Sequence, residues 1–286
     1  MRHKACLTLL LILLSVGYTF AQTNEYKHQL DLIDSLKVFI AKDLKLDIPA
    51  DFYTKWTESK DSMYLYVYAA DAKHIAHGDT THRSSWYYIN EDSAKAKVAE
   101  LKAKGYHTML YRTVGTSAAE LNRKLLSYPD VALAFIIIHE AVHNHIRNNE
   151  KYKGYPYVYE ESLCDAVAIL GMQTLVRQGR LLDAKSVSKH TRSLERCYAI
   201  LNKANDKLDD TEHDALILQA TNRRMMRYTR NANQFLKDRM RYEVNNAYLL
   251  RTQDYSLHYF ELKKQLYHLS VTDVVKQVMK AHGPKN

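Results

Sequence analysis

Apolar residues recur at helical spacing early in the chain. Across residues 26–46, Leu30, Ile33, Leu36, Ile40 and Leu44 fall on one stripe, which predicts an amphipathic helix with one face toward a core. The period then changes. MYLYVYAA (63–70) is rich in aromatic and β-branched residues and predicts a strand, WYYI (86–89) a second, and the alternating YHTMLYRTV (106–114) a third. HGDTTHR (77–83) between the first two reads as a loop. Residues 91–104 are Ala, Lys and Glu at helical density, closed by Gly105, which can take the left-handed conformation at a helix end. Gly115-Thr116-Ser117 breaks the third strand, and a short helix is predicted over 118–126. Ser127-Tyr128-Pro129-Asp130 reads as a capping box that starts a further helix. Residues 151–158 read as a loop, and from Glu160 to His282 the chain reads as helices broken near Gly179, Asp209-Asp210 and Gln253-Asp254. Sparse punctuation, 8 Gly and 4 Pro, agrees with helices joined by short loops. The expected class is α+β, in one domain over 22–286. A small α+β lobe with a short sheet spans 22–129 and a mostly helical lobe spans 130–286, with the helix from Asp130 at their junction, a common place for clefts.

That helix carries the chemistry. VALAFIII (131–138) is apolar all round and belongs in a core, although FIIIHE has the propensity of a strand. The HEAVH that follows (139–143) puts His139 and His143 four residues apart, on one helix face. A buried helix that brings two imidazoles and a carboxylate into its last turns needs a partner for them, and a metal provides one. Zinc takes imidazole nitrogen and carboxylate oxygen, and a catalytic site keeps three protein ligands and an open fourth position. Glu140 is rotated about 100° from His139, beside the metal position, where a carboxylate can act as general base. In EESLCDA (160–166), Glu161 is the expected third ligand, and Asp165, one turn on, is placed to accept the free N–H of a liganding histidine. Glu160 competes for the ligand role, but its i+4 neighbour is Cys164 rather than a carboxylate. The expected complement is one Zn2+ per chain. His145 lies two residues from His143, faces away from it, and reads as a surface histidine.

The N-terminus bears on location. Arg2, His3 and Lys4 precede an apolar run over 5–20 and then Ala21-Gln22, the pattern of a secretory signal peptide over 1–21. The run is short for a ~30 Å hydrocarbon core, so the expectation is an exported, periplasmic or secreted protein with no stable membrane insertion after cleavage. Cys164 and Cys197 then remain and are expected to be buried thiols. The formal charge is +9, or +7 once Arg2 and Lys4 are removed, and the basic residues are scattered apart from RRMMRYTR (223–230) on a predicted helix. A solvated helix face explains that cluster, and no nucleic-acid partner is expected.

Several segments together resemble a bacterial family of zinc aminopeptidases in the HExxH-plus-glutamate, gluzincin-like zincin group. They are YLYVYAAD, YYINEDSAKAKVAELKAKGYHTMLYRTVGTSA, LLSYPDVALAFIIIHEAVHNHI, EESLCDAVA and NNAYLLRTQDYSLHYFELKKQL. The chain lacks the lipid-bearing cysteine with which members of that family often begin, and it reads HEAVHNH where HELAHQ-like strings are more usual. The resemblance implies a zincin-like fold, with His139, His143 and Glu161 on zinc and Glu140 as base. It makes Tyr255 the leading donor to a tetrahedral oxyanion, ahead of Tyr155, Tyr157, Tyr159 and His258. In related zincins a strand such as 106–114 pairs with an extended substrate. The expected function is an exported zinc metallopeptidase acting on a peptide or protein substrate, with aminopeptidase action as the narrower expectation. In that case Glu160 is the candidate to hold the substrate amine. The alternatives are an endopeptidase on the same site and a catalytically silent zinc-containing envelope binding protein, against which the presence of Glu140 argues.

Overall fold

The computed structural model describes residues 25–57, 64–71, 83–88, 90–113, 119–208, 214–230, 232–240 and 243–283. The signal-peptide region, the 77–82 loop, the break at 115–117 and the one at 209–210 lie outside them. The architecture is α+β: mostly helices, with one three-stranded antiparallel sheet.

Helix α1 (Lys27–Lys42) buries Leu32, Ile33, Leu36, Phe39 and Ile40, the stripe set by its 3.6-residue period. The sheet is ordered β2-β1-β3, from β1 (Tyr64–Asp71), β2 (Arg83–Tyr88) and β3 (Tyr106–Thr113). Alternation divides its two faces. Val67 and Ala69 pack with Ala94 and Leu101 of α2 (Glu91–Ala103) in a small satellite core. Tyr68, Ala70 and Met109 face the main core. The cross-strand pair Tyr66 and Tyr111 lies on that same face, with rings stacked at 5.3 Å. Asn90 caps α2 by accepting from the Ser93 N–H at 2.8 Å, and Gly105 ends it at φ 83°.

The short helix α3 (Arg123–Leu126) begins later than its sequence suggests, because Asn122 is extended and caps it by accepting from the Leu125 N–H at 2.7 Å. Ser127 does not cap the next helix. Its hydroxyl donates backward to the Lys124 carbonyl, and α4 (Asp130–Arg147) starts behind Pro129 with no side-chain cap. A 3-10 turn spans Glu150–Tyr152, and α5 (Tyr157–Arg177) opens three residues before Glu160, behind Pro156. The remaining helices are α6 (Ala184–Asn205), α7 (Asp214–Thr229), α8 (Gln234–Met240), α9 (Asn246–Ser256), α10 (Tyr259–Leu266) and α11 (Val271–His282). The break expected near Gln253-Asp254 falls three residues later, at Leu257-His258 between α9 and α10. Gln253 donates to Asn205 of α6 and Asp254 accepts from Arg251 one turn earlier in α9, so the helix runs through both to Ser256.

Helix α4 is buried from Val131 to Ile146, so all its faces meet protein. Helices α1 and α5 both pack on it. Gly171 permits a close approach of α5, since a Cβ there would sit 3.2 Å from Ile138 Cδ1, next to His139. Helix α9 packs on α5 and on β1 and β3, so the open face of the sheet, α4, α5 and α9 converge around one cleft.

Candidate metal centre

His139 and His143 project from one face of α4 toward the first turns of α5. Three atoms meet there. His139 Nε2 and His143 Nε2 are 3.1 Å apart, and Glu161 Oε2 lies 3.2 Å from the first and 3.3 Å from the second. The other ring nitrogens are taken: His139 Nδ1 donates to Asp165 Oδ1 at 2.8 Å, and His143 Nδ1 to Glu160 Oε1 at 2.7 Å. With the protons on Nδ1, both Nε2 atoms present lone pairs to a carboxylate oxygen. Glu161 Oε2 is buried and has no hydrogen-bond partner. A buried orphan of this kind costs about 1–3 kcal/mol, and converging acceptors need a cation between them. Ligand atoms of a tetrahedral ion at zinc distances stand about 3.3 Å apart. The triangle fits.

The buried group His139, His143 and Cys164, with ligand atoms within 4.8 Å of one another, could hold a metal ion. Cys164 and Glu161 therefore compete for the third position, and their chemistry separates them. Burial pushes the Cys164 thiol up to about 12, although His143 works against it, so the sulfur stays protonated. Burial also disfavours ionised Glu161, but His143 and His139 overcome it and hold the carboxyl well below its usual range. Glu161 offers an anionic oxygen 3.2 and 3.3 Å from the two ring nitrogens.

Each of the three groups is held from behind. Asp165, fully buried, accepts from Arg239 Nη2 at 2.7 Å, from Arg239 Nη1 at 3.3 Å and from the Tyr198 hydroxyl, as well as from His139. Glu160 accepts from Arg147 Nε at 2.6 Å as well as from His143. Arg251 reaches Glu161 Oε1 at 3.4 Å and is itself held by Asp254 Oδ2 at 3.1 Å. Five carboxylates (Glu140, Glu160, Glu161, Asp165, Asp254) stand against three guanidinium groups (Arg147, Arg239, Arg251), leaving two negative charges. One divalent ion cancels them, as does a proton on each of the two imidazoles. The same field raises the proton affinity of both imidazoles: burial opposes it, but Asp165 and Glu161 around His139, and Cys164 and Glu161 around His143, prevail.

Glu140 lines the same cavity of about 360 Å³. Its carboxylate makes no hydrogen bond or ion pair among the described residues, and burial raises its pKa while His143 and His139 pull it down. Tyr255 also lines the cavity, its ring 6.3 Å from that of His139 and held between Arg239 and Arg251 at 4.2 and 4.5 Å. Its oxygen accepts from Arg251 Nη2, which leaves its own O–H to donate, and burial keeps that proton on although Arg251 opposes it. Tyr157 lines the cavity too. The other tyrosines considered with it do not. Tyr159 stacks on His258 at 3.8 Å, and Tyr155 is buried behind Glu160 in a separate pocket.

Two sequence readings change. His145 is buried, at 3% exposure, not superficial: the N–H of Asp47 donates to its Nδ1 at 3.0 Å, because the segment after α1 covers that face of α4. Glu160 does not line the cleft with the metal triangle: its Oε1 accepts from His143 and Arg147, and the residue borders a separate pocket. The residues missed were Tyr198, Arg239 and Arg251, which reach the site across 33 to 90 residues of sequence. Arg147 was missed as well, although the sequence places it one turn after His143 on the same helix face. Arg239→Met leaves Asp165 without its strongest partner and is expected to lower metal affinity on the order of 10–100-fold, read by competition with a chelating dye.

No protein-family model, curated protein or solved structure matches the chain.

Proposed function

We propose that the protein is an exported zinc metallopeptidase of zincin-like fold, and that it cleaves internal bonds of peptides. The observation that carries the reading is the convergence of His139 Nε2, His143 Nε2 and Glu161 Oε2 within 3.1–3.3 Å, with an unpartnered carboxylate, Glu140, in the same cavity. Two imidazoles and one carboxylate are a donor set that suits zinc and leaves a fourth position toward the cleft. Bound there, zinc would supply Lewis acidity toward water and a carbonyl oxygen. Glu140 takes the proton of the attacking water and returns it to the leaving amine. Tyr255, fixed between its two arginines, donates its O–H to the oxygen that becomes anionic. Arg251 steadies both Glu161 and Tyr255.

Two features favour internal cleavage over aminopeptidase action. The α4 residues lining the cleft run from Phe135 to Arg147, about 18 Å of helix, with the two histidines between the ends rather than at one of them. Among the described residues, no carboxylate of the cavity is left to hold an α-amine. Glu161 belongs to the metal triangle, Glu140 is the base, and Asp238 accepts from Tyr128 at 3.0 Å and Gln234 at 2.8 Å. Strand β3 lies at the sheet edge and contributes Met109, Tyr111 and Arg112 to the cleft, in reach of an extended substrate. Export rests on the N-terminal pattern; no helix among the described residues is long and apolar enough to cross a membrane. The test compares one cleavable peptide with a free and an acetylated N-terminus. Equal cleavage of both is expected, and a strong preference for the free amine would restore the aminopeptidase reading.

A further inference from the structure

We propose that the cleft carries an apolar side-chain subsite, built by Tyr128, Phe135 and Phe235 beside the metal triangle, which selects peptides with a large apolar residue next to the bond attacked. The proposal rests on the metallopeptidase reading and adds the substrate class. Along α4 the lining changes character. Phe135, His139, His143 and Arg147 stand at four-residue steps on one face, so the triangle has an aromatic ring one turn before it and a charged side chain one turn after it. The Phe135 ring lies 6.0 Å from that of His139. Phe235, from α8, packs 5.6 Å from Phe135, and Tyr128 meets Phe235 edge-on at 5.6 Å. All three line the cavity.

Phe135 and Tyr128 are buried, whereas Phe235 is half-buried and keeps part of its ring open. An aromatic wall left partly open within a cleft gains by covering that area with a ligand side chain. Met109 from β3 and Met240 from α8 also line the cavity, and their unbranched side chains adapt to more than one apolar shape. The charged groups here are already paired. The Tyr128 hydroxyl donates to Asp238 at 3.0 Å, and Lys124 lies 3.4 Å from the same carboxylate. Nothing at this end offers a free charge to a charged substrate side chain, so the surface sorts by apolar size. At the other end, Arg147 is held by Glu160.

The test measures binding separately from cleavage. In zinc-loaded Glu140→Gln protein, calorimetry compares the blocked tripeptides acetyl-Ala-Phe-Ala-amide, acetyl-Ala-Leu-Ala-amide and acetyl-Ala-Ala-Ala-amide. The Phe and Leu peptides are expected to bind roughly 10- to 100-fold more tightly than the Ala peptide, as burial of one large apolar side chain gives. Adding Phe235→Ala should collapse that ratio toward one. Adding Phe235→Leu, which keeps an apolar wall and guards against misfolding, should keep most of it. Equal binding of the three peptides to the parent, or an unchanged ratio in the folded Phe235→Ala protein, overturns the subsite. Selective binding without cleavage by the wild type would leave the subsite standing and remove the peptidase reading.

Discussion

Glu140→Gln is expected to lower peptide hydrolysis by about 10²–10⁴-fold while zinc stays bound. The amide keeps the size and burial of the carboxyl but cannot accept the proton of the attacking water. Metal retention follows because the triangle is made by His139, His143 and Glu161 without Glu140. Burial raises the pKa of the Glu140 carboxyl, which brings its basicity closer to neutrality, where a general base works best, even though the two histidines oppose the shift. Single-turnover cleavage and metal analysis on the same sample check both halves. Near wild-type turnover would end the general-base role.

The second large effect concerns the ligands. His143→Ala and Glu161→Gln should each lose most of the bound zinc, whereas Cys164→Ser should keep it. Shared over four ligands, a zinc binding free energy of about 10–16 kcal/mol gives about 2.5–4 kcal/mol for each. That corresponds to a loss of a few hundredfold in affinity. Removing His143 also strips Glu160 of one of its two partners and leaves Arg147 to hold it alone. The Cys164 variant is informative because its sulfur belongs to a group that could take an ion, yet burial keeps it protonated. Retention of metal by Glu161→Gln together with loss by Cys164→Ser would transfer the third ligand to sulfur.

How much of this the chain declares depends on distance along it. His139 and His143 are one turn apart, as are Glu161 and Asp165, so helix geometry alone puts each pair on a common face. The meeting of the two pairs needs α5 to close on α4, and Gly171 against Ile138 is a trace of that closeness which no periodicity reveals. Arg239 and Arg251 read in the sequence as ordinary basic residues of the helical half. They are buried partners of Asp165 and Glu161 only because α8 and α9 fold back over the site. His145 failed for the opposite reason. Helical spacing does turn it away from His143, but on a helix covered on every side there is no solvent for it to face. The misplaced cap at Ser127 and the displaced break near Gln253-Asp254 have a shared cause. Polar residues with turn chemistry serve a local turn in one context and a tertiary hydrogen bond in another.

On the proposed function, the three converging acceptor atoms exist to hold one divalent ion. Elemental analysis of the purified chain, after exposure to zinc and removal of excess, tests it most directly. One zinc per chain is expected, reduced to a small fraction in His143→Ala. A folded wild-type protein that retains no metal, or a His143→Ala variant that retains as much as the wild type, would contradict it.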